Sequence, residues 1–379
     1  MPERKKIALL FLYDEQWMGG TYYVLNLIEA LKTIDDSQKP FLKIIVTTAN
    51  EEAIIRNLNY PYFEIVFDNK AGISFFKRGV NFLAKKLLKQ HLFKSYPAIS
   101  DCVAVFPVFS AHIRYYTTPF YWIPDFQELY YPGFFSAREI LRRISHHKKI
   151  ASKKCHVVFS SHDACNSFNT FYPDHLSKKH VLHFAVTHPS YHMLKQEDLR
   201  VTYRLPKDYF IAPNQFWKHK NHRVVIEAAK LLKTEGRKPC IVFTGKENDN
   251  RNPEYAKELK KLVEDNNLEN EIRFLGFIDR AHLLQLMKNA LAVIQPSLFE
   301  GWSTVIEDAK AMNQFIIASA IDVNIEQLAG AGLVFNPLSA ADLAEKMILV
   351  LSEKTLNTGT IDYEKNVLAF GTQFLKLID

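Results

Sequence analysis

No apolar run in this 379-residue chain approaches the roughly 18 residues that a membrane-spanning helix requires. The longest near the start, Ile7 to Tyr13, ends on Asp14-Glu15 without a small-residue cleavage site, so it reads as a buried first strand and not as a signal peptide. Cysteine is scarce: Cys102, Cys155, Cys165 and Cys240 form no CxxC pair and no disulfide framework, which points to free thiols in a reducing cytoplasm. Internal repeats, low-complexity tracts and the three-glycine dinucleotide fingerprint are also missing. With 47% apolar and 23% charged residues the chain has ordinary globular composition, which excludes disorder, collagen and coiled coil for its bulk.

Acidic residues are what two stretches lack. Residues 70–95 carry Lys70, Lys77, Arg78, Lys85, Lys86, Lys89 and Lys94 with no acid, and residues 138–154 carry seven lysines and arginines against Glu139 alone. Residues 1–200 hold 26 basic against 18 acidic side chains, and residues 201–379 hold 22 against 23. Such a one-sided basic face attracts anions, and a merely solvated surface is the other reading. Within 75–95, Phe76, Val80, Leu83 and Leu87 follow a helical stripe. That stripe suits core packing or contact with an anionic membrane better than base stacking, so no nucleic acid is expected.

What is present alternates between strand and helix patterns. Lys6–Tyr13, Leu42–Thr47, Cys102–Phe109, Phe120–Ile123 and His156–Phe159 are short apolar runs, and Thr21–Leu31 has helical spacing. The pattern resets near residue 209. Strands are expected at Tyr209–Ala212, Cys240–Thr244, Glu271–Phe274, Leu291–Gln295 and Phe315–Ala318, with helices between them, and residues 184–206 read as a linker. The expectation is an α/β chain of two doubly wound Rossmann-like domains facing a cleft. The first covers 1–190 and the second 191–360, with a C-terminal helix in 361–379 packing back on the first. Ligands in such sheets sit outside the carboxyl ends of the strands.

Three clusters fall at those ends. Gly19-Gly20 follows the first strand, where a glycine pair admits close backbone approach to a phosphate or sugar hydroxyl; a tight turn without a ligand is the other reading. Asn214 to His222 follows the strand at 209–212 and contains Gln215, Lys218 and Lys220, suited to a diphosphate. No cysteine or carboxylate spacing makes His219 and His222 metal ligands. The third cluster is Gln295 to Ala309, with Glu300-Gly301 in a loop and Ser303-Thr304 at a helix start. Thr304 and Glu307 have capping-box spacing, which leaves Glu300 and Asp308 as carboxylates without a structural role. Carboxylates for hydroxyls beside helix-end amides for phosphate oxygens shape a pocket for a sugar nucleotide.

Over Tyr209–Met347 the sequence resembles the retaining glycosyltransferases of group 1, family four, of two-Rossmann GT-B architecture. The resemblance rests on Ile272-Arg273-Phe274-Leu275-Gly276-Phe277, Pro296-Ser297, Glu300-Gly301 and Ala331 to Pro337. It implies that Glu300 contacts the transferred sugar and that Asp308, eight residues on, holds the ribose, with Glu307 as the adjacent alternative. Lys220 matches the diphosphate lysine and Phe277 the region that meets the base. Gly19, Gly20, Gly301, Ser303 and Thr304 complete the implied donor site. Gln215 stands where relatives have arginine, so Lys218 is the substitute cation. Asp125 is retained from a His-Asp pair, with Pro124 in place of the histidine. The implied reaction moves a hexose from a nucleotide sugar to a glycan or lipid-linked acceptor with retention, without metal or other cofactor, in the cytoplasm or peripherally on the inner face of the membrane. An epimerase or phosphorylase on the same fold, or a relative that only binds nucleotide, are the competing readings.

Overall fold

The structure is a computed structural model that describes residues 4–14, 17–68, 80, 82, 97–109, 117–249, 251–352 and 361–379. The stripe at 75–95 lies outside them apart from the isolated positions 80 and 82. The chain folds as two compact units: Met1–Phe126, Ser136–Thr187 and Glu364–Asp379 form one, and Gln127–Phe135 and His188–Tyr363 the other. The second unit thus takes in a short segment, 127–135, from within the first half of the sequence. Among the described residues no helix is long and apolar enough to cross a membrane.

In the first unit the strands are β1 (Lys6–Leu10), β2 (Phe41–Val46), β3 (Phe63–Phe67), β4 (Ala104–Val108), β5 (Thr118–Ile123), β6 (His156–Phe159) and β7 (Lys178–Val181). They form a parallel sheet in the order β3-β2-β1-β4-β5-β6-β7. Every residue of β4 is buried, as a parallel strand covered on both faces demands. The C-terminal helix Tyr363–Ile378 closes this unit by packing on the helix Met18–Lys32. Phe370 meets Tyr23 at 5.7 Å and Phe374 meets Phe106 at 5.4 Å.

The second unit has β8 (Tyr209–Pro213), β9 (Cys240–Thr244), β10 (Ile272–Phe274), β11 (Val293–Gln295), β12 (Ile316–Ser319) and β13 (Leu333–Phe335). Their order, β10-β9-β8-β11-β12-β13, is the doubly wound order with its switch point between β8 and β11. Successive residues point to opposite faces. Phe210, Ala212, Ile241 and Phe243 join the core beneath the helices His222–Thr234, Tyr255–Asp265 and Ala340–Ser352. Tyr209, Ile211, Cys240 and Val242 join the core that includes Leu199, Leu284 and Ile306 from the helices Gln196–Tyr203, Arg280–Lys288 and Thr304–Ala311. The helix at 196–203 occupies part of a stretch expected to be linker. Glu197, Asp198 and Thr202 are exposed, while Leu199 is buried.

Gly371 marks the tightest approach of the C-terminal helix: a Cβ there would lie 2.8 Å from the backbone oxygen of Ala30 and 3.1 Å from the Ile34 side chain. Neither backbone can yield without moving a helix. Gly371→Val is therefore expected to destabilise the first unit by about 1–3 kcal/mol, the usual cost of overpacking. Urea unfolding followed by fluorescence measures it, and an unchanged or higher midpoint would show that this helix does not pack through Gly371.

Candidate active site

The loops that leave β8 and β11 diverge at the switch point and carry most of the polar residues singled out above. After β8, the turn Lys218–Lys220 is followed by Asn221 in the left-handed conformation, φ 54°. Asparagine tolerates that region because its short side chain bonds locally. Here it donates to the Pro296 and Pro337 carbonyls at 3.1 and 2.8 Å, fastening the β8 loop to the β11 loop. The Leu298 amide adds a bond to the His219 carbonyl at 2.7 Å.

Lys220 and Glu300 meet across this junction at 2.5 Å, with side-chain exposures of 14% and 9%. Gln295, fully buried at the end of β11, donates to Glu300 Oε1 at 2.7 Å and to Ser297 at 3.1 Å, and accepts from Asn214 at 2.9 Å. Both contacts to Glu300 fall on Oε1, which leaves Oε2 as the acceptor without a protein partner among the described residues. Sequence reasoning does not single out Gln295. A glutamine ending an otherwise apolar strand is the signal that could have found it.

Other predicted residues lie around this pair. Lys218 is exposed on the same turn, Gln215 is half-buried, and Gly301 borders Glu300. Phe277 is 67% exposed, with the ammonium of Lys246 5.1 Å from its ring centre. Gly245 lets that edge close up: its φ is 145°, and a Cβ would lie 2.2 Å from the Asn214 oxygen. Segment 127–135 packs on the same loops. Tyr130 and Tyr131 approach Phe299 at 5.6 and 6.0 Å, and the Tyr131 hydroxyl donates to the Leu298 carbonyl at 3.2 Å.

Three expectations change. The cap of the helix 304–311 is Ser303, whose hydroxyl accepts from the Ile306 amide, and not Thr304; Glu307 plays no capping part. Adjacent hydroxyl residues make the register ambiguous in sequence, and burial of Ser303 decides it. Glu307 instead is 2% exposed and accepts from Gln327, Lys310 and Tyr363. Asp308 is 1% exposed and takes Arg280 at 2.5 Å and His188 at 3.0 Å on the same oxygen, Oδ1. Burial works to raise its carboxyl, but Arg280 and His188 outweigh it and hold it below the ordinary aspartate range. Finally, Gly19 and Gly20 lie inside the first turn of the helix 18–32 and not in a turn before it. A Cβ on Gly20 would lie 2.5 Å from the Trp17 ring, so that glycine makes room for an indole; Gly19 is exposed. The two glycines and the half-buried Asp125, two residues past β5, belong to the first unit.

Residues 196–367 match the family described as glycosyl transferases group 1. This segment is similar to the group 1 glycosyl transferases. Over 216 residues the chain is 26% identical to the O-antigen chain mannosyltransferase of Salmonella typhimurium, covering 57% of this chain and 56% of the relative. Over 171 residues it is 26% identical to the N,N'-diacetylbacillosaminyl-diphospho-undecaprenol alpha-1,3-N-acetylgalactosaminyltransferase of Campylobacter jejuni, covering 42% of each. The matched part spans about half the length of these curated relatives. Among solved structures, Anabaena HepE in complex with UDP and glucose has a TM-score of 0.64 at 14% identity over 98% of each chain. At that identity the likeness is one of fold, the two-Rossmann GT-B architecture. The matched segment contains β8 to β13 and the whole Lys220–Glu300 cluster.

Two histidines of the second unit give the site a pH signature. Burial drives His222, stacked on Phe216 at 4.6 Å, down to about 3, and puts His219 well below its ordinary value. Both stay neutral in the fold, whereas in the unfolded chain they take up a proton below about 6.5. The unfolded state then binds more protons, so their stabilisation is complete above that pH and declines below it. Between pH 7.5 and 5.5 the second unit is expected to lose on the order of 1 kcal/mol for each histidine. Urea unfolding at the two pH values, with His222→Phe as control, tests this. The variant keeps a flat ring and should lose about half of the pH dependence contributed by the pair; an unaltered dependence would overturn the assignment.

Proposed function

We propose that the chain is a glycosyltransferase that moves a hexose from a nucleotide-sugar donor to a glycan or lipid-linked acceptor, with retention and without a metal. The observation that carries the reading is the Lys220–Glu300 pair at the carboxyl ends of the switch-point strands, inside a segment of group 1 character. The names of the two curated relatives, both sugar transferases, and the UDP and glucose of the Anabaena structure support the donor and acceptor classes.

Breaking a nucleotide–sugar bond transfers negative charge to the diphosphate, and preorganised donors that stabilise developing charge commonly contribute more to such catalysis than anything else. Lys220 supplies a cation held in place by its partner. Lys218 and Lys246 are further cations of the same loops, and the amides that open the helix 304–311 have no intrahelical partner. A diphosphate gives Lys220 a second anion, and Glu300 turns its Oε2 to the hydroxyls of the transferred sugar. Phe277 offers an exposed face for the base. The acceptor hydroxyl attacks from the side of the departing diphosphate, which retains the anomeric configuration without a covalent carboxylate intermediate, unlike a typical retaining glycosidase. Asp125 is proposed to act near the transferred sugar from the first unit. Protein cations take the part a divalent metal would otherwise play.

Thermal-shift screening with UDP, GDP, ADP and their sugars identifies the donor, since a ligand at 100 times its Kd stabilises by about 2.7 kcal/mol. With that donor, Glu300→Gln is expected to lower kcat about ten- to a hundredfold with little change in KM, from loss of a hydrogen bond to a charged acceptor worth about 1.5–3 kcal/mol. Turnover is expected to survive EDTA. Complete loss on chelation, restored by magnesium or manganese, would sink the metal-free mechanism, and donor isomerisation or phosphorolysis in place of transfer would favour an epimerase or phosphorylase.

A further inference from the structure

The amino ends of the second sheet hold a cleft that the donor reading does not use. Its volume is about 610 Å³, within the usual range for small-molecule sites. Leu205, Cys240 and Leu291, at or just before the starts of β8, β9 and β11, give it an apolar floor. Arg204, Lys238 and Arg273 stand around that floor, with Asp208 as the one acid among the lining residues. Lys220 and Glu300 lie on loops that leave the opposite ends of these strands, and the five residues of β8 span about 17 Å. Arg204 and Lys238 are exposed, and neither side chain has a hydrogen-bond or ion-pair partner among the described residues. Arg273 gives one donor to the Glu269 carbonyl, and the nearby Glu271 is already paired with Lys233 at 3.2 Å. Three cations against one carboxylate leave the cleft a surplus of two positive charges.

Arg204 is held there in a strained backbone. It ends the helix Gln196–Tyr203 in the left-handed conformation, φ 53° and ψ 47°, while the Leu205 amide bonds the Arg200 carbonyl at 2.9 Å. Glycine ordinarily closes such a turn. Of the six non-glycine residues with positive φ, four are asparagine, which tolerates this region; Arg204 has no such relief. Strain of this kind collects at ligand sites, and here it sets a guanidinium on the rim of the cleft. A cation after a helix end also complements the helix dipole, but that role asks for no particular anion. We propose that this cleft is a second binding site, for an organic phosphate monoester. Such a group carries about −1.5 to −2 charge at neutral pH, which matches the surplus. The two arginines present planar forks to its oxygens, Lys238 adds a point charge, and the apolar floor takes the organic body. Asp208 sets a like charge against the phosphate and keeps its affinity modest. The proposal does not depend on the donor reading.

Phenyl phosphate is the probe, with inorganic phosphate and phenol as controls, and hydrogen exchange and calorimetry on the full chain are the readouts. Phenyl phosphate is expected to slow exchange in 203–209, 237–241 and 270–274. Inorganic phosphate, without a body for the floor, should bind the same place about tenfold more weakly, and phenol not at all. Arg204→Gly keeps the left-handed turn and removes the guanidinium. It is expected to unfold at an equal or higher urea midpoint while binding phenyl phosphate about tenfold more weakly, as loss of a hydrogen bond between charged groups implies. Lys238→Gln should weaken binding in the same way, and Asp208→Asn, which removes the like charge, should tighten it about threefold. Unchanged binding in both Arg204→Gly and Lys238→Gln overturns the site. A lower midpoint in Arg204→Gly with binding intact assigns the arginine to the helix end and also overturns it. Equal protection by sodium chloride at matched ionic strength reduces the cleft to a screened basic patch. Protection confined to 215–222 and 296–306 places the phosphate at the donor loops and removes the second site.

Discussion

A carboxylate with 9% of its side chain exposed is costly to bury unless a partner compensates it, and for Glu300 that partner is Lys220. The two residues are 80 positions apart and belong to loops leaving different strands. Their meeting requires those strands to be neighbours, which β8 and β11 are, and the loops to be locked together. Asn221 supplies the lock, bonding both carbonyls from a left-handed backbone just before the helix begins. Gln295 then fixes which oxygen of Glu300 the protein uses. Site geometry thus follows from strand order, one asparagine and one glutamine.

Around this pair a second layer is aromatic. Segment 127–135 brings Tyr130 and Tyr131 to Phe299, and Phe134 to within 6.4 Å of His219. Arg251 lies over both Trp217 and Phe135, at 5.1 and 5.3 Å, while paired with Asp249. Apolar walls lower the local dielectric, which strengthens every interaction of Lys220 and Glu300 and makes loss of either partner costlier. The same walls keep His219 neutral, so the loop's positive charge is concentrated on its lysines.

The inner strands were legible because parallel strands buried on both faces read as continuous apolar runs, as β8, β9 and β4 do; the edge strands β3, β7 and β13 are partly exposed and were not singled out. Lys220 and Glu300 were legible as polar residues just past such runs, sharpened by family resemblance. The partners of Glu307 and Asp308 were not. His188 lies 120 residues from Asp308 and Tyr363 lies 56 from Glu307, and no local pattern joins residues at such distances. The cap at Ser303 escapes a sequence reading for a different reason. Ser303 and Thr304 can each cap a helix, and an acid three residues past Thr304 imitates a box whose carboxylate the fold uses elsewhere. Segment 127–135 falls by sequence within the domain that surrounds it, since only tertiary contact shows that its tyrosines pack on Phe299.

Three carboxylates, Glu300, Glu307 and Asp308, fall within nine consecutive residues and all are at least nine-tenths buried in their side chains. Each has its own cation: Lys220, Lys310 and Arg280. The cluster is therefore close to neutral and offers a diphosphate little net attraction by itself. In the proposed function, attraction comes from Lys218 on the neighbouring loop and from amides at the helix start. Of the three pairs, Lys220–Glu300 alone has its acid in a loop; the other two acids sit within a helix held by further hydrogen bonds. It is thus the pair that can rearrange when an anion arrives, while the two behind it hold the helix still. The proposed binding of a diphosphate calls for both kinds, one pair that yields and a frame that does not.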